Sequence, residues 1–432
     1  MNKLLLRNGT IVSSQGKKKA DVLCENGKIV KVDEDITVTD DMTVIDCEDQ
    51  FVIPGVIDTH VHLREPGGEA KEDFITGSKA ASRGGVTTIL DMPNNTPVTD
   101  RVSRLDAKYD LADGKMVVNY GFYIAATGDN LEELKKADRA CGVKLFMGKS
   151  TGDIAVTDGL DEVFEFCVDK PLVVHAEDEA RIEARKREFA NINDPSVHSL
   201  IRDDESAYLA VKTALHLAKK YGTKLHIAHM STAKEVDSLR KFHGGNVTSE
   251  VATHHLFLTT DAYSDLGTLV QMNPPLREVG DKDALWDALN DGIIDTIVTD
   301  HAPHTLSEKK RPYREAPSGV PGLETLLPLM LTSVNHGDLS FEKCVETMCE
   351  KPAEIFGLAK KGRIEEGYDA DLTLVDMSRE EIVGEKGYQS KCGWSPYDGW
   401  KLIGWPVATI VNGEVVFRGG AVHEKFVGKP VF

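Results

Sequence analysis

Cysteine is scarce in this sequence, and its spacing suggests no pairing. Seven cysteines are spread over 432 residues, and none belongs to a C-x-x-C motif. A disulfide framework or a zinc ribbon needs recurrent close pairs, so we expect neither. The simplest interpretation is a protein of the reducing cytoplasm.

Basic residues are fewer than acidic residues in this chain. The chain has 51 Lys and Arg against 70 Asp and Glu, which gives a net charge of −19. Binding to nucleic acid or to an anionic membrane needs clustered cations, so we expect neither partner. A small anionic substrate is compatible with this charge, because a few arginines or metal ions can dominate the field inside a pocket.

Long apolar runs are also missing. No stretch approaches about 20 uncharged apolar residues, so no membrane span is expected. The opening segment MNKLLLRNGTIV turns polar too soon for a good signal peptide. With 41% hydrophobic and 28% charged residues, the composition is that of a globular protein able to bury a large core without disulfides.

Both ends of the chain have the pattern of short β-strands. The hairpin signal Asn-Gly occurs at Asn8-Gly9, Asn26-Gly27 and Asn412-Gly413. Chain termini often lie close together in a folded protein. Residues 1–53 and 365–432 are therefore predicted to form one small β-sandwich.

The middle of the chain alternates short apolar runs with longer amphipathic segments. Eight runs are candidate strands: VIDTHVHL, VTTILDMP, VVNYGFYI, GVKLFMG, LVVHAED, KLHIAHMS, NVTSEVATHHL and DTIVTDHAP. Eight successive strand–helix units imply a closed parallel sheet. Residues 54–364 are predicted to form a (β/α)8 barrel of the TIM type.

Potential metal ligands lie at the ends of five of these strands, where a barrel carries its active site. They are His60, His62, Lys144, His175, His229 and Asp300. Alternation along a strand places His60 and His62 on one face, where both imidazoles can reach one ion. An H-x-H pair taken alone is more often two polar residues at a strand end, but here a polar run surrounds it.

Lys144 is an unusual residue for a buried strand, because a charged amine is costly there. One interpretation is a lysine whose amine reaches solvent at the strand end. The other is chemical: a desolvated neutral amine can add carbon dioxide, and the resulting carbamate can bridge two metals.

Each of the other candidate ligands, taken alone, has a simpler explanation than metal binding. A single His such as His175 or His229 after an apolar strand is more often a core residue, and His226 should point away from His229. Asp300 could bind a metal, accept a proton or cap a helix. Six such residues on five strands are hard to explain by chance. A metal pair would acidify a water and polarise a carbonyl, which suits hydrolysis or formation of an amide.

Several motifs together resemble the amidohydrolase superfamily and, within it, the dihydroorotase family. They are PGVIDTHVHLREPG, GGVTTILDMPN, the strand-borne Lys144, VVHAED, HIAHMS, MNPPLR and TDHAPH, and they span essentially the whole chain. The resemblance implies reversible cyclisation of N-carbamoyl-L-aspartate to dihydroorotate. Many long bacterial dihydroorotases carry Asp as the bridging ligand, so Lys144 is more similar to lysine-bearing members and to hydantoinases.

The resemblance also implies a role for each site residue. His60, His62 and Asp300 would hold one of two zinc ions, carboxylated Lys144 would bridge them, and His175 and His229 would hold the other. Asp300 would also carry the proton. The substrate would contact His62, Arg64, Asn94, Asn273, His304, Ser318 and Gly319.

Each substrate contact has a simpler alternative. Arg64 could pair with Glu65 or Glu69, Asn94 could be an ordinary turn residue, and His304 could be an exposed loop histidine. In favour of function, only an arginine can grip a carboxylate through a bidentate fork.

Two rival functions stay open. One is another cyclic amidohydrolase, an allantoinase or a dihydropyrimidinase, and a dihydropyrimidinase substrate would give Arg64 no clear partner. The other is a non-catalytic relative that serves as a structural partner, which should have lost ligands. Beyond the small-molecule substrate, we expect further copies of the chain, as a homodimer or higher homo-oligomer.

The loop after Lys144, GKSTGDIAVTDG, is rich in Gly, Ser and Thr. It could close over the substrate with Ser150 or Thr151 in contact, or it could be an ordinary flexible connection.

Overall fold

A computed structural model describes residues 3–150, 154–242 and 244–432. Its first part consists of seven short strands: β1 (Lys3–Arg7), β2 (Thr10–Ser13), β3 (Gly16–Lys19), β4 (Asp21–Glu25), β5 (Lys28–Asp33), β6 (Met42–Asp46) and β7 (Phe51–Pro54).

The next eight strands form the predicted barrel. They are β8 (Val56–Val61), β9 (Val86–Asp91), β10 (Asn119–Ala125), β11 (Ala140–Phe146), β12 (Leu172–His175), β13 (Leu225–Ile227), β14 (Val247–Ala252) and β15 (Thr296–Val298). All neighbours are parallel and follow the order of the chain. The ring closes just beyond β15, where a parallel bridge joins Val61 to His301 and the His62 N–H donates to the His301 carbonyl at 2.8 Å.

The chain ends with β16 (Leu372–Ile382), β17 (Lys401–Val411), β18 (Glu414–Arg418) and β19 (Ala421–Val422). These strands join β2, β3 and β7 in a seven-stranded sheet, and β1, β4, β5 and β6 form a second sheet. Leu6, Val22, Ile45, Leu372 and Ile410 belong to the apolar cluster that the two sheets enclose. The prediction of a β-sandwich built from both termini is therefore confirmed.

Fifteen helices are assigned in the described residues, and the longest follows β12. They are α1 (Phe74–Arg83), α2 (Val102–Ala112), α3 (Leu131–Leu134), α4 (Leu160–Phe166), α5 (Glu179–Glu188), α6 (Val197–Ile201), α7 (Asp204–Tyr221), α8 (Ala233–Leu239), α9 (Thr253–Phe257), α10 (Ala262–Leu266), α11 (Val279–Asn290), α12 (Leu306–Lys309), α13 (Leu326–His336), α14 (Phe341–Val345) and α15 (Lys351–Ile355). A 3₁₀ turn covers Gly267–Val270, and a π-helical turn covers Glu346–Glu350. Over the described ranges, none of these helices combines the length and the apolar character that crossing a bilayer requires.

Two local predictions were wrong. Asn8-Gly9 does not form a hairpin, because β1 and β2 lie in different sheets and the chain crosses between them there. The seventh barrel strand is shorter than predicted: β14 ends at Ala252, and α9 takes up His254 and His255.

The domain limits 1–53, 54–364 and 365–432 stay a prediction. In the structure β7 ends at Pro54 and β8 begins at Val56, and β16 begins at Leu372.

Candidate active site

The mouth of the barrel gathers most of the predicted site residues around one cavity. Five predicted metal ligands line it: His60, His62, His175, His229 and Asp300. Asn94, Asn273, Ser318 and Gly319 line the same cavity, together with Phe146 and Ser150. Strand ends far apart in sequence therefore converge as the barrel prediction requires.

Asp300 connects the two histidines of the first strand. Its Oδ1 lies 3.1 Å from Nε2 of His62 and 3.4 Å from Nε2 of His60. All three side chains are buried. Burial favours the neutral carboxyl, but His60 and His62 outweigh it and hold the pKa of Asp300 well below its ordinary value. Asp300 is therefore an anion at neutral pH.

His175 and His229 form the other side of the cluster. Nδ1 of His175 lies 2.9 Å from Nε2 of His229. Ligand atoms of His60, His229 and Asp300 all lie within 4.8 Å of one another. Burial, reinforced by neighbouring cations, holds the pKa of His229 well below its ordinary value, so the ring is neutral, as a metal ligand must be.

Lys144 lies on β11, close enough to the cluster for its charge to lower the pKa values of His60, His175 and His229. Its side chain is fully buried, and within the described part of the chain Nζ has no hydrogen-bond partner. Burial lowers the pKa of the amine to about 8 against the opposing effect of Glu250 and Asp300. The amine therefore has a neutral fraction at physiological pH.

The polar wall beside the cluster contains Arg64 and His304. Arg64 is buried; its Nε donates to the Pro303 carbonyl at 3.1 Å, and one terminal nitrogen lies 3.1 Å from Nε2 of His304. The simpler alternatives do not apply to these two residues. The contacts of Arg64 are at the barrel mouth rather than with Glu65 or Glu69, and His304 is buried rather than exposed on a loop. Asn94 is not only a turn residue, because its Oδ1 lies 2.7 Å from Nδ1 of His62.

A second wall contains Asn273, Ser318 and Gly319. Asn273 accepts a hydrogen bond from Nε2 of His198 at 2.9 Å, and the Gly319 N–H donates to the Gln271 carbonyl at 2.9 Å. A Cβ at position 319 would lie 2.4 Å from the Ala302 carbonyl, and the backbone has a φ of +138°. Only glycine fits this approach of the chain to the mouth.

Comparison with known proteins decides the family. The model of the amidohydrolase family matches residues 51–416. The chain belongs to the amidohydrolase family. It is 37% identical to a dihydroorotase of Methanosarcina mazei over 97% of this chain and 95% of that protein. It is 36% identical to a dihydroorotase of Staphylococcus aureus over 96% and 99%. An L-hydantoinase (dihydropyrimidinase) from Arthrobacter aurescens has the same fold, with a TM-score of 0.95, 33% identity and 99% of each chain covered.

The site of this amidohydrolase fits a metal centre. Zn–N bonds are about 2.0–2.1 Å long, so two nitrogens within about 4 Å can share one ion. The His175–His229 separation satisfies this limit. Beside these histidines, Nζ of Lys144 is a buried polar atom without a hydrogen-bond partner among the described residues. An amine at this position fits a site in which it binds a further group together with the histidines.

Two carboxylates of this amidohydrolase escaped the sequence analysis. Glu250 on β14 is fully buried, pairs with Nδ1 of His60 and with Nε2 of His226 at 3.1 Å, and accepts the His229 N–H at 3.2 Å. Its charge lies inside the predicted strand NVTSEVATHHL, which is the same signal that drew attention to Lys144. Glu177 lies 2.9 Å from Nε2 of His175 and pairs with buried Arg202.

The backbone is unusual at three of these positions. Arg64, His229 and Asp300 have positive φ values of 65°, 35° and 46°. Residues other than glycine seldom adopt this conformation, which costs on the order of 1–3 kcal/mol at each position. Such strain is typical of functional sites, where it fixes the direction of a side chain.

The loop after Lys144 is only partly described. Ser150 lines the cavity, and its contact with the substrate stays a prediction. The predicted contact of Thr151 lies outside the described residues, and closure of the loop stays a prediction.

Proposed function

We propose that this amidohydrolase is a dihydroorotase, which interconverts N-carbamoyl-L-aspartate and (S)-dihydroorotate in the synthesis of pyrimidine nucleotides (UMP). The observation that carries the proposal is the buried Arg64–His304 wall beside the metal-binding cluster. It offers a carboxylate-binding fork next to a hydrolytic centre. Relatives named dihydroorotase align with nearly the whole chain.

The proposed cofactor is a pair of zinc ions. His60, His62 and Asp300 would hold one ion, His175 and His229 the other, and Lys144 would bridge them as its carbamate. When bound, the ions supply an acidified water and polarise the carbonyl that reacts. The partly neutral amine of Lys144 and its burial support the carbamate.

Asp300 is the proposed proton carrier. In hydrolysis it takes the proton of the attacking water and delivers it to the ring nitrogen as the C–N bond of the amide breaks. In the direction of synthesis it removes a proton from the ureido nitrogen, which attacks the side-chain carboxyl carbon and releases water. Its low pKa keeps it ionised and ready to accept.

The remaining site residues position the substrate. Arg64, Asn94 and His304 would bind the carboxylate of the ring, and His62 would contact the substrate as well as the metal. Asn273 and the backbone of Ser318 and Gly319 would bind the ring itself. Five of these residues line the metal-site cavity, whereas His304 contacts the Ser318 carbonyl and Arg64 contacts His304.

Structural similarity to hydantoinases makes another cyclic amidohydrolase the chief rival. The purified protein should be tested with dihydroorotate, dihydrouracil, hydantoin and allantoin, alongside metal analysis. Turnover restricted to dihydroorotate is expected. Preference for a ring without a carboxylate would refute the proposal, and absence of both metal and activity would revive the non-catalytic alternative.

Two further features are part of the proposal. We place the enzyme in the cytoplasm, in keeping with seven cysteines that are all free in the described structure. We also expect it to assemble as a homodimer or higher homo-oligomer, which light scattering of the purified protein would test.

A further inference from the structure

A second cavity adjoins the one that holds the metal ligands. The two share His62 and Asn94 in their walls, and the second is also lined by Arg64 and Lys71. Lys71 lies between β8 and α1, and its side chain is 29% exposed. It has no role in the reaction as described so far.

Lys71 contacts the ring of His304. Its Nζ lies 3.2 Å from Nδ1 of His304. On the other edge of the ring, Nε2 lies 3.1 Å from the Ser318 carbonyl and 3.1 Å from a terminal nitrogen of Arg64. His304 is therefore placed between two cations and one carbonyl oxygen.

One tautomer of His304, with the ring proton on Nε2, satisfies the contacts with both Lys71 and Ser318. An ammonium can donate but cannot accept, so Nδ1 must carry a lone pair towards Lys71. The ring proton must then be on Nε2, where the Ser318 carbonyl accepts it. Burial, together with the charges of Arg64 and Lys71, holds the pKa of His304 well below its ordinary value, so the ring is neutral.

This tautomer has a consequence for Arg64. Because Nε2 of His304 carries the proton, it cannot accept from Arg64, and its N–H and the Arg64 terminal nitrogen 3.1 Å away are both donors from which a substrate carboxylate can accept. In the opposite tautomer Nε2 would accept from the guanidinium and occupy one of its terminal donors. The tautomer thus decides whether His304 competes with a carboxylate for the Arg64 fork.

A nearby acid makes the opposite tautomer accessible when Lys71 is absent. Oε2 of Glu308 lies 4.0 Å from Nδ1 of His304, which is too far for a hydrogen bond. Oε1 of Glu308 is paired with Lys71 at 3.2 Å. Without the lysine, Glu308 would be the natural acceptor for a proton on Nδ1.

We propose that Lys71 is a specificity-determining residue, which fixes His304 as the neutral Nε2–H tautomer and so reserves the Arg64 fork for the substrate carboxylate. The proposal rests on the proposed function, since it assigns a use to the same wall. Lys71 acts through His304 and is a positioning residue.

The test compares Lys71→Met, Lys71→Arg and a matched control, Lys343→Met. Lys343 has a similar exposure, 23%, and a simple surface pair with Glu346 at 2.7 Å. The ring nitrogens of His304 are observed by ¹⁵N NMR in histidine-labelled protein. KM and kcat for dihydroorotate are measured in parallel, with metal content as a check.

The wild type and Lys71→Arg should show an unprotonated Nδ1, whereas Lys71→Met should move the proton to Nδ1. Lys71→Met should raise KM roughly tenfold with little change in kcat, the loss expected for one hydrogen bond to a charged group. Lys343→Met should match the wild type in both measurements.

The proposal is overturned by a protonated Nδ1 in the wild type, by an unchanged tautomer or KM in Lys71→Met, or by equal effects in Lys343→Met. The wild-type spectrum alone can overturn it, so a variant that folds poorly does not rescue it. If the wild type fails to turn over dihydroorotate, the proposed function fails, while the spectra still decide the role of Lys71.

Discussion

Lys144 differs from Lys108 and Lys309, which are also buried, because its Nζ has no hydrogen-bond partner among the described residues. Lys108 is equally buried, but its Nζ pairs with Asp91 at 2.5 Å and donates to the Met92 carbonyl at 2.9 Å. An amine that is buried and unpaired beside metal-binding histidines would repel a cation unless it were modified. Carboxylation is therefore expected at Lys144 but not at Lys108, and comparing the two lysines tests it.

We expect a carbamate on Lys144 and none on Lys108. Metal-loaded protein prepared with ¹³C-bicarbonate should give a carbamate signal in the ¹³C spectrum that is missing from Lys144→Ala. That variant should lose most of its activity, and added short carboxylates should restore part of it by filling the vacated space. A fully active, metal-loaded wild type without the signal would contradict the prediction.

Asp300→Asn should lower kcat by at least about 10²-fold, the usual lower scale for general acid–base catalysis. The amide keeps the size of the side chain but cannot accept the proton. Metal content and the KM for dihydroorotate should be measured with kcat. If the variant keeps its metals and turns over at a near-normal rate, Asp300 serves only as a ligand.

Arg64→Met should raise KM for dihydroorotate while metal content stays intact. Loss of a charge-assisted bidentate contact costs on the order of 1.5–3 kcal/mol, which is a factor of roughly 10 to 150 in KM. Arg64→Lys should recover only part of the loss, because an ammonium lacks the fork. Unchanged kinetics in both variants would remove Arg64 from the carboxylate wall.

The sequence revealed those site residues whose chemistry conflicts with their surroundings. A buried lysine on an apolar strand is costly, which drew attention to Lys144, whereas Asp300 was found from its place at the end of a predicted barrel strand. Glu250 has the same signature but was missed, because it makes its contacts to residues on other strands. Such pairing depends on which strands are neighbours, and a single sequence does not give distances across a barrel.

At the scale of elements, β14 organises its neighbours. Glu250 holds Nδ1 of His60 on β8, Nε2 of His226 on β13 and the backbone N–H of His229 just beyond β13. A carboxylate on the far nitrogen of a histidine fixes the orientation of the ring and makes it a better ligand. Glu250 is therefore placed to align ligands on two strands at once.

Glu250→Gln should weaken metal binding by about 10- to 100-fold, the usual effect of losing such a partner. The dissociation constant for zinc can be measured by competition with a chelator, independently of activity. Glu235→Gln is the matched control, because Glu235 is also a buried glutamate but its carboxylate accepts from Ser231 and Thr232 at the start of α8. Equal metal affinity in both variants would assign Glu250 a purely structural role.

The periodic pattern predicted the barrel because β/α alternation is a local signal repeated eight times. The Asn8-Gly9 turn was misassigned because the same dipeptide also suits a crossing between sheets. Asn8 has a φ of 65°, and its side chain donates to Asp46 on β6, a partner 38 residues away. The dipeptide fixes the local bend, whereas the tertiary contact decides where the next strand goes.

At the scale of the whole molecule, Asp371 joins the barrel to the sandwich. It accepts hydrogen bonds from Nδ2 of Asn119 on β10 at 3.0 Å and from the backbone of Asn412 beyond β17 at 2.8 Å. Its other partner is Lys361, at 2.5 Å, in the segment that leads from the barrel into β16. The side chains of Lys361 and Asp371 are only 7% and 5% exposed, so solvent screens this pair weakly.

Lys361→Met should lower the free energy of unfolding by about 3 kcal/mol at pH 7, since it leaves a buried carboxylate without its cation. Burial lowers the pKa of Lys361, but Asp371 and Asp369 outweigh it and raise the pKa above 10.5. The stabilisation is therefore complete below the unfolded value of about 10.5 and is lost as pH rises through the higher folded value. Denaturant unfolding should give a difference in the free energy of unfolding between wild type and Lys361→Met that is constant from pH 7 to about 10 and becomes smaller at higher pH.

The control variant Lys343→Met should lower the free energy of unfolding by less than about 1 kcal/mol at pH 7, because its ion pair is more exposed. If Lys361→Met lowers the free energy of unfolding at pH 7 no more than Lys343→Met does, or if its effect grows above pH 10, the Lys361–Asp371 pair does not hold the two parts of the molecule together.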